Sequence, residues 1–379
     1  MPSYSGVWTL VAQMQNVAAG TWTGVPKFEL YSWGSNDSGV LGLNDTANRS
    51  SPVQVGALTN WSQIAIGSPH TVAVKTDGTL WGWGLNNQGQ LGLGDITSRS
   101  SPVQIGALTA WSQLSAGYRN SIAVKTDGTI WSWGRNSDGQ LGLGDATNRS
   151  SPVQVGSLTN WYQVVSGRGH TVAIKTDGTL WGWGDNQTGE LGLGNVVSRS
   201  SPVQVGALTT WSQVAAGNNH TVAIKTDGTL WSWGYNNSGR LGLNDTVSRS
   251  SPVQVGALTT WYRVSAGGSF TIAIKTDGTF WSWGGNSYGQ LGVNDTASRS
   301  SPVQVGALTN WSQVAAGLGF TVAIKTDGTL WSWGDNSFAA LGLGNTVNRS
   351  SPVQVGALAT WSTLPKMPTS NSTLATKTP

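Results

Sequence analysis

The sequence predicts an all-β protein: a seven-bladed β-propeller of four-stranded blades, its ring closed by pairing of N- and C-terminal strands. Three observations carry this. A 50-residue unit recurs without insertion or deletion from Glu29 to Trp361. Each unit holds four short strand candidates and nothing that reads as a helix. The Trp-Gly pair ending the fourth candidate occurs seven times, with Trp at 33, 83, 133, 183, 233, 283 and 333. Four short strands in a repeat of about 40–50 residues mark a propeller blade, whereas β-solenoid coils are usually much shorter.

In the unit that starts at Ser201, the strand candidates are Pro202–Val205, Trp211–Ala216, His220–Lys225 and Thr229–Trp233. The third alternates small and β-branched residues and the fourth is aromatic. Asp227-Gly228 between them is a hairpin signal, because Gly accepts positive φ. A loop rich in Gly and Asn follows, then Arg249 and the next Ser-Pro-Val-Gln. That tetrapeptide occurs seven times but Lys-Thr-Asp-Gly only six, so one blade is split. The expectation is that residues 351–364 and Val17–Gly34 together make it, shielding two strand edges. The chain then divides into an attachment segment (1–16), the propeller (17–364) and a polar C-terminal tail (365–379). In the first of these, Val7, Leu10, Val11 and Met14 suit one face of a short helix, and with Trp8 they are the expected attachment residues.

Composition narrows the function. The 379 residues include 52 Gly, 22 Trp and no Cys, which excludes disulfides and thiolate metal sites. Hydrophobic residues at 38% and charged residues at 10% exclude a disordered chain. The net charge of +4 and pI near 9.4 hint at nucleic acid. Yet 13 of the 21 basic residues occupy two fixed repeat positions and are spread round the ring, whereas polyanion binding needs clustering. No nucleic-acid partner is expected. No apolar run approaches a membrane span, and residues 1–26 carry no charged side chain of the kind that opens a signal peptide.

No catalytic set, metal site or cofactor emerges. His70, His170 and His220 share one column with Asn120, Phe270 and Phe320, so a structural role is expected. Asp77, Asp127, Asp177, Asp227, Asp277 and Asp327 fall in the hairpin, where Asp bonds the local backbone. The loops around Asp95 offer at most one acidic residue each, too few for calcium. Leu91-Gly-Leu-Gly precedes no helix and is no phosphate loop. Trp61, Trp81, Trp83 and their equivalents are read as packing between blades.

The informative positions are those where units disagree. One column reads Ser35, Leu85, Arg135, Asp185, Tyr235, Gly285 and Asp335. The next loop varies through Asp138, Gln187, Tyr288 and Phe338. The pair before the His column includes Tyr118-Arg119, Arg168-Gly169 and Asn218-Asn219. These are turns, where rigid scaffolds carry binding residues. The candidate binding set is Leu85, Tyr118, Arg119, Arg135, Arg168, Asp185, Asn218, Asn219, Tyr235, Tyr288, Asp335 and Phe338.

The strings Trp233-Gly234-Tyr-Asn236, Gly239 and Leu241-Gly242, with Ala216-Gly217 and His220-Thr221 upstream, resemble the regulator of chromosome condensation repeat family. The resemblance covers roughly residues 17–364 and implies a closed seven-bladed propeller. Its founding member is a chromatin-bound exchange factor for a small GTPase, using an inserted wedge and a basic N-terminal tail. Here the stride is uninterrupted and no Lys or Arg precedes Lys27. The N-terminal Ser-Gly-Val-Trp-Thr-Leu-Val-Ala-Gln-Met-Gln resembles bacteriophage virion proteins, including tail-associated ones. The leading expectation is therefore a non-enzymatic structural or adhesion protein of a phage particle. It would be located in the virion as a tail fibre, receptor-binding or decoration protein. Its termini would hold other virion proteins, and its loops would meet a host-surface glycan or protein. The alternatives are a soluble lectin-like or protein-binding module and an exchange-factor-like regulator of a small GTPase, with the cytoplasm as the alternative location.

Overall fold

A computed structural model describes residues 28–365 and 370–378. They form seven four-stranded sheets and, among the described residues, no helix. In one complete blade Trp211–Ala216, His220–Lys225, Leu230–Gly234 and Arg249–Gln254 lie side by side in chain order. The first is the inner strand: its Gln213 lines a central channel together with Gln163, Arg263 and Gln313 of neighbouring blades. The last is the outer strand, half-buried over most of its length. Asp227-Gly228 makes the expected turn, with Gly228 at φ +77°.

His220–Lys225 is buried at every position, because neighbouring blades cover both of its faces. Trp211 meets Trp231 and Trp233 edge to face at 6.1 and 5.9 Å. Trp233 is fully buried, and its Nε1 donates to Glu190 O of the preceding blade at 2.8 Å. Thr221 Oγ1 donates to the same carbonyl, also at 2.8 Å. Gly192 lies against this indole: at φ +72° a Cβ there would sit 2.8 Å from Trp233 Nε1, so only glycine fits. Trp211 and Trp233 are thus core, whereas Trp231 is half-buried and packs against it.

The ring closes by strand exchange between the chain ends, as expected, but with two corrections. The Ser-Pro-Val-Gln at 351 belongs to the outer strand Arg349–Gln354 of the last contiguous blade, paired with Leu330–Gly334. A cyclic repeat can be cut at any phase, and its stride does not say which. The polar tail, in turn, is largely blade. Ser372–Lys377 is a strand between Trp361–Thr363 and Glu29–Gly34, with Arg49–Gln54 at the outer edge. It fills the place that the sequence reading left to the N-terminal segment.

The physical reason is side-chain equivalence. Leu374 and Ala375 are fully buried. Thr373 Oγ1 donates to Ala340 O at 2.7 Å, where Trp33 Nε1 also donates at 2.9 Å, repeating the Thr–Trp pairs on Val40 O, Gln140 O, Glu190 O and Gln290 O. Lys377 pairs with Glu29 at 3.1 Å, and the hydrogen bond to Glu29 raises the lysine pKa. The proposed attachment residues Val7, Trp8, Leu10, Val11 and Met14 lie outside the described residues.

Candidate functional site

The turn after each inner strand and the loop after each third strand open on one face. Antiparallel neighbours place one strand's start beside the other's end. Arg135 N thus donates to Arg119 O, Asp185 N to Gly169 O and Tyr235 N to Asn219 O, each at 2.8 Å. The two most variable columns are side by side on that face. Tyr118 N donates to Gly167 O at 3.3 Å, which joins the turns of adjacent blades.

The densest group centres on Tyr118. The guanidinium carbons of Arg119, Arg135 and Arg168 lie 5.1, 5.8 and 5.6 Å from its ring centroid, within cation–π range. Arg119 sits in the left-handed region at φ +64°, and its Nε is buried without a hydrogen-bond partner. That backbone costs about 1–2 kcal/mol for a residue with a Cβ. Arg135 pairs with Asp138 at 3.0 Å. Asp138 and Asp185 stand on either side of Gly169, where a Cβ would be 3.4 Å from Asp138 Oδ2 and 3.2 Å from Asp185 Cβ. Beside them is a cleft of about 410 Å³ lined by Asp138, Asp185, Gln187 and Arg199, among others. Residue 195 is Asn, so Arg199 lacks the i−4 carboxylate that Arg149 and Arg249 have in Asp145 and Asp245.

Two other groups share the face. Asn218 and Asn219 form a turn whose Asn219 Nδ2 donates to Glu190 Oε1 at 3.4 Å, and Tyr235 stacks 5.0 Å from the Arg240 guanidinium. Glu190 and Arg240 are buried at a position occupied elsewhere by Gln90, Gln140 and Gln290. Burial lowers the Arg240 pKa to about 10, so it stays charged at neutral pH. Arg240 holds Gly268 O at 3.2 Å and Asn237 Oδ1 at 2.7 Å. Sequence reasoning missed this pair, although the Gln column disclosed it. Farther round, Tyr288 and Asp335 flank Gly319, and Tyr288 and Phe338 are exposed. Leu85 N donates to Pro69 O at 3.0 Å. The predicted residues therefore share a face but form separate groups, with Tyr118, Arg119, Arg135 and Arg168 in direct contact.

The histidines are interior ties. His70 Nε2 is 2.8 Å from Ser121 Oγ, whose own hydrogen goes to Gln90 O at 2.9 Å. The hydroxyl must then accept, so Nε2 carries the proton of a neutral ring. His170 and His220 meet Thr221 and Thr271 in the same way, at 3.1 and 3.0 Å. Burial lowers the pKa of all three, that of His70 to about 3. On the opposite face Asp77 Oδ1 accepts from Thr79 N at 2.9 Å and Thr79 Oγ1 at 2.6 Å, the expected turn bonds. Lys75 Nζ lies 3.4 Å from the Trp81 ring centroid. Among the described residues no group of three or more His, Asp and Glu could hold a metal ion, and no helix is long and apolar enough to cross a membrane.

A family model described as the RCC1-like domain matches residues 10–272 and, overlapping, 158–375. The chain belongs to that family. Among solved structures it is similar to human WBSCR16 (TM-score 0.83, 21% identity, 92% of this chain and 98% of that one). It is also similar to Prp20p of Saccharomyces cerevisiae, described with its binding to Gsp1p and histones (TM-score 0.83, 22% identity, 93% and 92%). Yeast RCC1 (Prp20) bound to Kap60 gives a TM-score of 0.85 at 21% identity, over 100% and 94% of the two chains. At these identities the likeness establishes the fold.

These findings overturn the expectation of a phage structural or adhesion protein located in the virion and held by virion partners. The family match runs from residue 10 to residue 375, nearly the whole chain, and it is to RCC1-like propellers. Ser372–Lys377, in the terminus expected to hold other virion proteins, is instead a strand of the propeller.

Proposed function

We propose that this chain is a protein-binding propeller of the exchange-factor type, acting on a small GTPase through the Tyr118 face. The observation that carries the reading is the group of Tyr118, Arg119, Arg135 and Arg168. Tyr and Arg are among the residue types that dominate binding energy at protein interfaces. Here they stand where an otherwise uniform repeat departs from itself. Arg119 also keeps an unfavourable backbone conformation at a position where Gly169 and Gly319 show that glycine is compatible with the fold. Strain of this kind accumulates at functional sites. Asp138 and Asp185 beside the arginines give the surface both signs of charge, which fixes the orientation of a partner more than its raw affinity.

The homologous Prp20p, described as binding Gsp1p, histones and Kap60, supports a protein as the partner class. The test is release of a fluorescent guanine nucleotide from small GTPases of the source organism, with and without the full chain. The expected result is accelerated release from one of them, lost in an Arg119→Gly, Arg135→Ser, Arg168→Gly variant. No acceleration from any GTPase defeats the exchange-factor reading.

A further inference from the structure

The channel at the centre of the ring is lined by Gln163, Gln213, Arg263 and Gln313, members of a repeat column that also holds Gln63 and Gln113. The glutamines tie blade to blade. Gln163 Oε1 accepts from Val214 N at 3.1 Å, Gln213 Oε1 from Val264 N at 2.7 Å, and Gln313 Oε1 from Leu364 N at 3.2 Å. Position 263 breaks the pattern. A guanidinium has five donor hydrogens and no acceptor, so it cannot receive Val314 N–H as Gln213 receives that of Val264.

Nor is Arg263 well satisfied where it stands. Its Nε is enclosed with no hydrogen-bond partner, and Nη2 reaches the Tyr262 hydroxyl only at 3.5 Å. It borders a cavity of about 250 Å³ whose described lining includes no acidic residue. The wall instead carries the hydroxyls of Ser115, Ser166 and Ser265 and glutamine amides. Ser115 Oγ accepts Ser166 N–H at 3.0 Å and Ser265 Oγ accepts Ala316 N–H at 3.1 Å, bonds that leave their own hydroxyl hydrogens unspent.

We propose that the central channel is a binding site for a small oxyanion of the phosphate class, free or carried on a small molecule, with Arg263 as its charged ligand. A guanidinium matches such an anion with paired charge-assisted hydrogen bonds. The oxyanion supplies the acceptors that the ring lacks at this blade. The site is separate from the Tyr118 face and does not rest on the exchange-factor reading.

The test is calorimetric titration of inorganic phosphate into the full chain and into Arg263→Gln, which installs the residue found at five equivalent positions and so preserves the fold. The expected result is one saturable site per chain, weakened about tenfold or more in the variant, the loss of a hydrogen-bonded charge partner. Without phosphate the variant should melt no lower than the parent, because Gln restores the acceptor for Val314 N–H. A parallel titration with phosphoserine separates the two sources: binding tighter than phosphate identifies a phosphate-bearing molecule, and weaker binding the free anion. Absence of saturable phosphate binding to the parent chain, or equal binding to both proteins, overturns the proposal.

Discussion

Replacing Leu374 by Asp should unfold the propeller at its closure. Leu374 is fully buried in the cluster that also holds Leu30, Trp33, Trp61 and Leu330. Removing the leucine forfeits about 2–3 kcal/mol of apolar burial. A carboxylate in its place has no cation in that cluster, and an unpaired buried charge adds a further penalty of about 3 kcal/mol or more. The expected total is about 5 kcal/mol, a large fraction of the stability of most domains. Urea unfolding followed by tryptophan fluorescence reads the change directly, since the indoles are buried at every blade. The exposed Thr378, one residue past the closing strand, is the control: Thr378→Asp should stay within about 0.5 kcal/mol of the parent. If Leu374→Asp unfolds at the same urea concentration as that control, Ser372–Lys377 is not part of the seventh blade and the closure described here is wrong.

Further expectations follow from the same geometry. Unfolded histidine titrates near 6.5, whereas burial lowers folded His70 to about 3. Between those values the unfolded chain binds more protons, so stability falls as pH drops from 6.5, by up to about 1.4 kcal/mol per pH unit for each such histidine. His70→Asn, the residue found at Asn120, should flatten part of that slope when urea midpoints are compared at pH 7 and pH 5. Gly92→Ala should cost about 2–4 kcal/mol in the same assay, since it combines left-handed strain with overpacking; its Cβ would sit 2.8 Å from Trp133 Nε1. Arg168→Glu should weaken partner binding about tenfold, mostly through slower association, with the difference shrinking in high salt. Surface resonance at two ionic strengths would show it.

Much of the fold is legible in the sequence because each blade repeats its own instructions. Asp227-Gly228 marks the hairpin, and the aromatic run before Gly234 marks the third strand. What escapes is whatever the stride does not carry. Ser372–Lys377 begins eleven residues after Trp361, whereas His220 begins nine after Trp211, and no Asp-Gly follows it. A search by period therefore passes over it. The signal was chemical: Thr373, Ala375 and Lys377 repeat Thr71, Ala73 and Lys75. The site was half legible. Departures from the repeat named Tyr118, Arg119, Arg135 and Arg168 individually, but their convergence depends on strand antiparallelism and on the neighbouring blade's turn. Glu190, Arg240 and Arg263 were missed because they interrupt columns of glutamine that read as scaffold.

The most direct test of a functional Tyr118 face is hydrogen exchange of the chain with and without the GTPase whose nucleotide it releases. The account predicts slowed exchange in the turns at 117–119, 135–139 and 167–169, with the Asp-Gly hairpins of the opposite face unchanged. Protection confined to those hairpins, or to the outer strands, would contradict it.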